Sequence, residues 1–542
     1  MPADPQDILR RLDKAKDHRR TWEWHWEEVA NLVMPTREFV TKYKPGGDRR
    51  NWIFDSTAPI ALTRLAAMMH SLLTNPAIRW FQLAAEDPRV NQNRAAQIWL
   101  EDSTQRMLAI FNNPASNFAT SIHEVYLDLG AFGTAILEIE DRGDEIRFYA
   151  RPLQNIFLCQ NDTDRIVCTF REFKMRVSDI IRRGEQEGWD VHPDTVKMFQ
   201  SKDRVEEQVD VVHSIYERAD HDPTKLDRRN MPWASCYVLK EHAFLMNESG
   251  FRNNPYLVPR WSKAPTEIYG RSPAIECLPD IKVINQMART ILECAELAIA
   301  PPLLVPANGM EGPMQTAPRS INYYRAGTTE LPQPLMTGVR TDIGDAILKQ
   351  RAESIERAFF VDAMELPEND RMTATEVMER VRQKLQTMSP VLSRLYAELL
   401  SPLIERTYQV MFRSGQLMPV PDELAGQSIQ VDYVSPLALS QRASESQNFL
   451  QFLGAAQPLL EADPGAMQNI DADGSIRWLH SIHNVTPQVM RSEQEVAADR
   501  QQQAQQQAQM QQMEMAQAGA AAAADGAGAI KDIASAENAG QA

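Results

Sequence analysis

The stretch Gly270–Gly415 constrains this chain most: two apolar helical patterns flank a Pro/Gly-rich insert, and a third pattern follows. Over Asp280–Ala300, apolar or small residues recur at Ile281, Ile284, Ala288, Ile291, Ala295 and Ala298, a spacing that lines one helix face. Pro301-Pro302 ends that helix, because a proline ring blocks continuation and restricts the residue before it. The insert Leu303–Gly338 comes next. The helical pattern resumes near Asp342 with Ile343, Ala346, Ile347, Ile355, Ala358 and Phe359. After the loop Ala363–Arg371, Thr373-Ala374-Thr375-Glu376 forms a capping box, in which hydroxyl and carboxylate each satisfy a free backbone N–H. The helix it opens runs to Ser414-Gly415, a length of roughly 60 Å at about 1.5 Å per residue. Pro390 and Pro402 interrupt it. Val377, Val381, Leu385, Met388, Leu392, Leu395 and Leu399 keep period across Pro390, which favours one kinked helix over three consecutive ones; both readings stay open.

Composition narrows the class. No apolar run is long enough for a membrane span, and the charged Met1–Arg20 has no signal-peptide core, so a cytoplasmic origin is expected. Five scattered cysteines (Cys159, Cys168, Cys236, Cys277, Cys294) form neither a disulfide framework nor a zinc-site spacing. The net charge of −16 counts against tight duplex binding, which relies on a basic face that releases phosphate counterions. It leaves room for a surface past which a polyanion slides.

The first half reads as α+β. A helix over residues 6–34 shares Trp22, Trp26, Val29 and Val33 on one face; Trp24 falls off it, as a partner contact or as a solvent-facing residue. The loop Thr36–Trp52 holds Arg37, Lys42, Lys44, Arg49 and Arg50, a phosphate-binding patch or simply a solvated loop. A helix near Pro59 buries Leu62, Leu65, Ala66, Met69 and Leu73, and helices follow at Asn93–Phe111 and Phe118–Leu129. Alternation then predicts a hairpin, Thr134–Glu140 with Glu145–Arg151, continued into one small sheet by Asn155–Gln160 and Arg165–Lys174. A helix at Val177–Glu187 precedes strands Val209–Glu217 and Cys236–Leu245, linked by an exposed Arg218–Arg229. Beyond Gly415 we expect a strand at Ile429–Val434, helices at Ser440–Leu460 and Ser475–Ile482, a polar Gln/Met-rich helix over Glu493–Gln517 and a disordered Ala518–Ala542.

No nucleotide loop, nucleophile elbow or zinc-protease helix is present, so no catalytic, cofactor or metal residue is assigned. His480 and His483 lack a third ligand. Asp471-Ala472-Asp473-Gly474 resembles the start of a calcium loop, but its glycine comes early and the closing glutamate is missing; it reads as a turn that opens a helix.

The ordered set of features resembles the portal proteins, or head–tail connectors, of short-tailed phages. Ile268-Tyr269-Gly270-Arg271-Ser272-Pro273 before the first central helix is similar to the start of their stem. Arg371-Met372-Thr373-Ala374-Thr375-Glu376 is similar to the segment after their tunnel loop. The resemblance implies a mainly α, α+β protomer assembled as a ring, with twelve copies at one capsid vertex and double-stranded DNA in the channel. It divides the chain into a wing (1–267), stem helices (268–302 and 341–362), a clip (303–340) and a tunnel loop (363–373). A long kinked helix with wing return (374–439), crown or barrel helices (440–517) and a tail (518–542) complete it. The implied partners are the terminase large subunit, then tail adaptor and nozzle proteins at the same clip, with major capsid, scaffolding and internal core proteins around the ring. Lys349, Arg351, Glu353, Arg357, Glu368, Asn369, Asp370 and Arg371 are the channel candidates; the basic ones read equally as i,i+4 pairs on a solvated helix, such as Glu353 with Arg357. Leu304, Met314, Tyr323, Tyr324 and Arg325 are the docking candidates. No enzymatic activity is expected. The alternative from another class is a helical scaffold that oligomerises through residues 493–517.

Overall fold

The computed structural model describes residues 3–37, 52–87, 89–143, 145–222, 227–305, 314–315, 321, 323, 333–335, 342–361, 387–427, 429–433, 446, 448–456, 471–482, 496, 498–510 and 513. It is α+β and mainly helical. The chain divides into two compact units. One comprises Met1–Gln82, Thr104–Met418 and Val431–Ala438; the other comprises Leu83–Ser103, Pro419–Gln430 and Leu439–Ala542.

The first unit opens with α1 (Pro5–Leu32), capped by the Asp4 carboxylate with Pro5 in the first turn. Its helices α2 (Thr57–Leu73) and α4 (Phe118–Phe132) pack closely: a Cβ added at Gly130 would lie 2.6 Å from Leu62 Cδ1. Between them in sequence come β1 (Phe81–Ala85) and α3 (Arg94–Asn112), whose residues are divided between the two units. β2 (Leu137–Asp141) and β3 (Ile146–Ala150) form the expected hairpin. A five-stranded antiparallel meander follows: β4 (Ile156–Gln160), β5 (Ile166–Arg176), β6 (Gln208–Glu217), β7 (Trp233–Leu239) and β8 (Phe244–Phe251). Strand side chains alternate between faces. Val212, Cys236 and Val238 therefore meet Ile8, Leu12 and Ala15 of α1, while Val211, Leu239 and Met246 meet Ile180 of α5 (Val177–Glu187) and Trp189 on the other face. The buried Arg19 of α1 donates to the carbonyls of Leu153, Gln154 and Ile156 at 2.8–3.0 Å, tying that helix to the start of β4.

Four expectations are corrected. The hairpin β2–β3 does not continue into the meander; it pairs instead with β9 (Tyr256–Leu257) in a separate three-stranded sheet. Cys236–Leu245 is not one strand: β7 stops at Leu239, and Ala243 takes a φ of 46° in the turn into β8. Arg218 is no exposed linker residue, since its side chain is only 9% exposed and pairs with Glu248 at 2.9 Å. The second central helix, α9 (Asp342–Ala358), ends before Asp362, where Phe360 turns to a φ of 57°. Sequence also gave no sign of α6 (Pro193–Gln200).

Near Pro390 and Pro402 the chain is helical in pieces. A turn at Met388 precedes α10 (Ser389–Leu395), where Pro390 sits in the first turn and lacks no bond. A π-helical turn, Tyr396–Leu400, leads without a break into α11 (Ser401–Arg413). Pro402 has no N–H for the Glu398 carbonyl, and the widened turn, in which the Ser401 N–H reaches the Tyr396 carbonyl, accommodates that loss. The capping box at Thr373 and the pattern Val377–Leu385 lie outside the described residues, as do the loop 363–371 and the tail.

In the second unit, residues 448–456 and 498–510 are helical, the latter exposed throughout, and α12 spans Ala472–Ile482. Phe449 meets Trp478 edge-on at 5.1 Å, and Arg500 pairs with Asp473. The Asp471 carboxylate accepts the Gly474 N–H at 3.0 Å, which confirms a helix-opening turn. Strand β12 (Ile429–Tyr433), whose residues are divided between the two units, lies where expected. The side chain of His480, and all of His483, lie outside the described residues.

Candidate nucleic-acid interface

The helical hairpin of the first unit starts from a rigid anchor, and the sequence Tyr269-Gly270-Arg271-Ser272-Pro273 builds it. Tyr269 is fully buried: Trp26 meets its ring edge-on at 5.1 Å, and its hydroxyl accepts the Leu158 N–H at 3.2 Å. Burial raises its pKa. Gly270 lies back-to-back with Gly133, and a Cβ on Gly270 would stand 2.2 Å from the Gly133 carbonyl oxygen. Its N–H donates to Thr134 Oγ1 at 2.7 Å. The Ser272 hydroxyl donates to the Ala131 carbonyl and accepts the Ile275 N–H, thereby capping α7 (Pro273–Glu276). This joint fixes the direction in which α8 (Leu278–Ile299) leaves the end of α4.

Helices α8 and α9 then run side by side. At Gly344 a Cβ would lie 3.0 Å from Ile291 Cδ1, so the backbones approach closely there. Asp280 accepts from Arg351 at 2.7 Å and from Ser354 at 3.2 Å, locking the start of α8 to the last turns of α9. Ile281, Ile284, Ile355 and Phe359 are buried at this end. Farther along, the apolar surface opens: Leu292 is 53% exposed, Leu297 41% and Ile299 85%. Val283, Met287, Cys294 and Leu297 form a second stripe beside the one recognised in the sequence. The hairpin closes where β10 (Leu303–Leu304) pairs antiparallel with β11 (Gln333–Pro334), joined by the Leu335 N–H to the Pro302 carbonyl.

The channel candidates on α9 divide by partner. Arg351 is held by Asp280. Arg357 stands 3.8 Å from Glu353, the i,i+4 pair that was the alternative reading. Lys349 is exposed with no ion pair among the described residues. Glu368, Asn369, Asp370 and Arg371 lie outside those residues. Of the docking candidates, Leu304 (57%) and Tyr323 (69%) are exposed, Met314 is half-buried, and Tyr324 and Arg325 lie outside the described residues. Arg37, from the basic loop, is committed to the buried Asp128 at 3.0 Å.

Sequence reasoning missed the clamp beside the hairpin. The buried Arg260 guanidinium and its backbone N–H all donate to Glu398 of the π-helical turn, at 2.6–3.2 Å. Arg406 of α11 is buried, donates to the carbonyls of Asn253 and Ile139 and lies over the Phe251 ring at 5.2 Å; desolvation lowers its pKa to about 10. The only advance sign was Pro402.

A hairpin with near-balanced charge, open apolar faces and a rigid root is a structural and interaction element. The comparisons agree. The family model for bacteriophage head to tail connecting proteins matches residues 5–490, so this chain belongs to that family of structural proteins. It is 32% identical to the probable portal protein of Bordetella phage BPP-1 over 91% of this chain and 90% of that one. It is 29% identical to the portal protein of Salmonella phage epsilon15 over 92% and 91%. The chain is a portal, or head–tail connector, protein, and DNA packaging is the general function of portals. The scaffold alternative depended on residues 493–517, outside the matched span, and is not favoured. No helix among the described residues is long and apolar enough to cross a membrane.

Proposed function

We propose that this chain closes into a ring of twelve copies at one capsid vertex, with the α8–α9 hairpins as the stem around passing double-stranded DNA. The observation that carries this reading is the open apolar surface on α8. Val283, Leu292, Leu297 and Ile299 lie uncovered in a single chain, although their root is locked in place. A heterologous ring supplies a neighbour for each such face. The insert 303–340 is the clip, whose base is the β10–β11 pair. It seats the terminase large subunit during packaging and then the tail adaptor and nozzle proteins, so these bind in alternation. Loop 363–373 is the tunnel loop that meets the DNA, and residues 440–517 form the crown or barrel. Assembly takes place in the host cytoplasm beside scaffolding, capsid and core proteins.

Twelve copies of 61.5 kDa make about 740 kDa. Mass photometry and axial views by electron microscopy should show a closed ring of that mass, unchanged by removal of residues 493–542. A small oligomer, or assembly lost with that deletion, would defeat the reading. Shortening loop 363–371 should leave the ring intact while impairing packaging or DNA retention.

A further inference from the structure

We propose that His192, Asp194 and His242 form a site for a divalent transition-metal ion of the zinc class. Two imidazoles and a carboxylate converge here from separate elements. His192 caps α6 and Asp194 lies in its first turn, while His242 sits in the β7–β8 turn. Their candidate ligand atoms all lie within 4.8 Å of one another.

The two oxygens of Asp194 have different surroundings. Oδ1 accepts from Lys197 Nζ at 2.7 Å. Oδ2 faces His192 Nδ1 at 3.8 Å and His242 Nε2 at 3.9 Å. Those gaps are too long for hydrogen bonds. They are close to the roughly 3.4 Å between two ligands on one tetrahedral ion with metal–ligand bonds of about 2.0–2.1 Å. A contraction of about half an ångström would complete the set.

The rings stack at 4.1 Å with an interplanar angle of 9°, so an ion must turn them until both lone pairs point at it. All three side chains keep solvent access, at 21%, 31% and 44%, which leaves room for that rotation and for water in the remaining positions. Phe244 packs edge-on against His192 at 5.2 Å and gives the site one apolar wall. The existing bond to His192 Nδ1, from the Asp194 N–H at 3.3 Å, is long and easily displaced. Two imidazoles and one carboxylate suit zinc, cobalt or nickel better than magnesium or calcium. A bound ion would pin α6 to the β7–β8 turn at the edge of the meander. The inference is independent of how the ring functions.

Titration of chelator-treated full-length protein with Co2+, by calorimetry and visible absorption, tests this. One equivalent should bind per chain, with no sulfur-to-cobalt charge-transfer band. Affinity should fall at least tenfold in His242→Ala and in Asp194→Asn. Lys197→Ala, which touches the carboxylate without being a ligand, should bind at least as tightly as the parent. Each variant must keep the parent circular dichroism spectrum in chelator, which separates lost ligands from lost folding. A thiolate band, absence of binding in the parent, or equal isotherms for parent and His242→Ala would each overturn the site.

Discussion

Asp128 shows how one side chain makes a fold sensitive to pH. It is buried on α4, and desolvation outweighs the facing Arg37, pushing its pKa up to about 6 from 3.8. The folded state therefore holds its proton more tightly than the unfolded chain does. This group's contribution to stability is fully present below about pH 4 and declines as pH rises to about 6, by on the order of 3 kcal/mol. Asp128→Asn carries no such proton. The difference in melting temperature between parent and variant should change across pH 4–6 and stay constant above it; parallel curves would refute the assignment. At Gly270 the argument is steric instead. Gly270→Ala drives a methyl group into the backbone oxygen of Gly133, which has no flexible side chain to yield and itself holds a φ of +75°. A loss above about 4 kcal/mol is expected, read as a shifted urea midpoint or insoluble protein. The tyrosine–glycine motif was legible in the sequence, but its partner Gly133 was not. No local pattern reports a contact between residues so far apart in the chain.

Elements were legible wherever one periodicity governed a whole segment. The stripe Leu62, Leu65, Ala66, Met69, Leu73 is buried on α2 as expected, and α5 has its expected bounds. Failures came where a short turn interrupts a continuous β pattern, as at Lys240–Ala243, whose residues carry no glycine or proline to mark it. The division of strands between two sheets depends on distant pairings such as Leu137 with Leu257, which alternation cannot encode. The π-helical turn is the case where a local anomaly was seen and its consequence was not. Pro402 announced a lost backbone bond; that the widened turn would present Glu398 to Arg260 depends on tertiary packing. Glu398→Ala should strand that buried guanidinium without a counter-charge and cost about 3–5 kcal/mol in denaturant unfolding. Glu398→Gln, which keeps the acceptor geometry, should cost less. If both variants unfold like the parent, the clamp does not hold the turn.

For the whole molecule the deciding quantity is charge. In the ring proposed above, twelve copies at −16 each would carry a formal −192. Yet the hairpin assigned to the channel is nearly balanced, with Arg351 and Arg357 close to Asp280 and Glu353. Basic groups so neutralised offer passing phosphates little grip, because counterion release requires free cations. In our reading, this pairing together with the acidic field of the ring keeps DNA sliding rather than bound. Glu353→Lys tests that idea at one position. It adds two positive units per chain, or twenty-four per dodecamer, and frees Arg357 from its carboxylate. The exposed Glu353 has no role in the hairpin core, so ring mass should be unchanged. Packaging velocity, followed on single DNA molecules, should fall at low ionic strength and recover as salt screens the new attraction over a Debye length of about 8–10 Å. Velocity equal to the parent at every salt concentration would mean that α9 does not face the DNA, and that the channel wall is formed elsewhere in the chain.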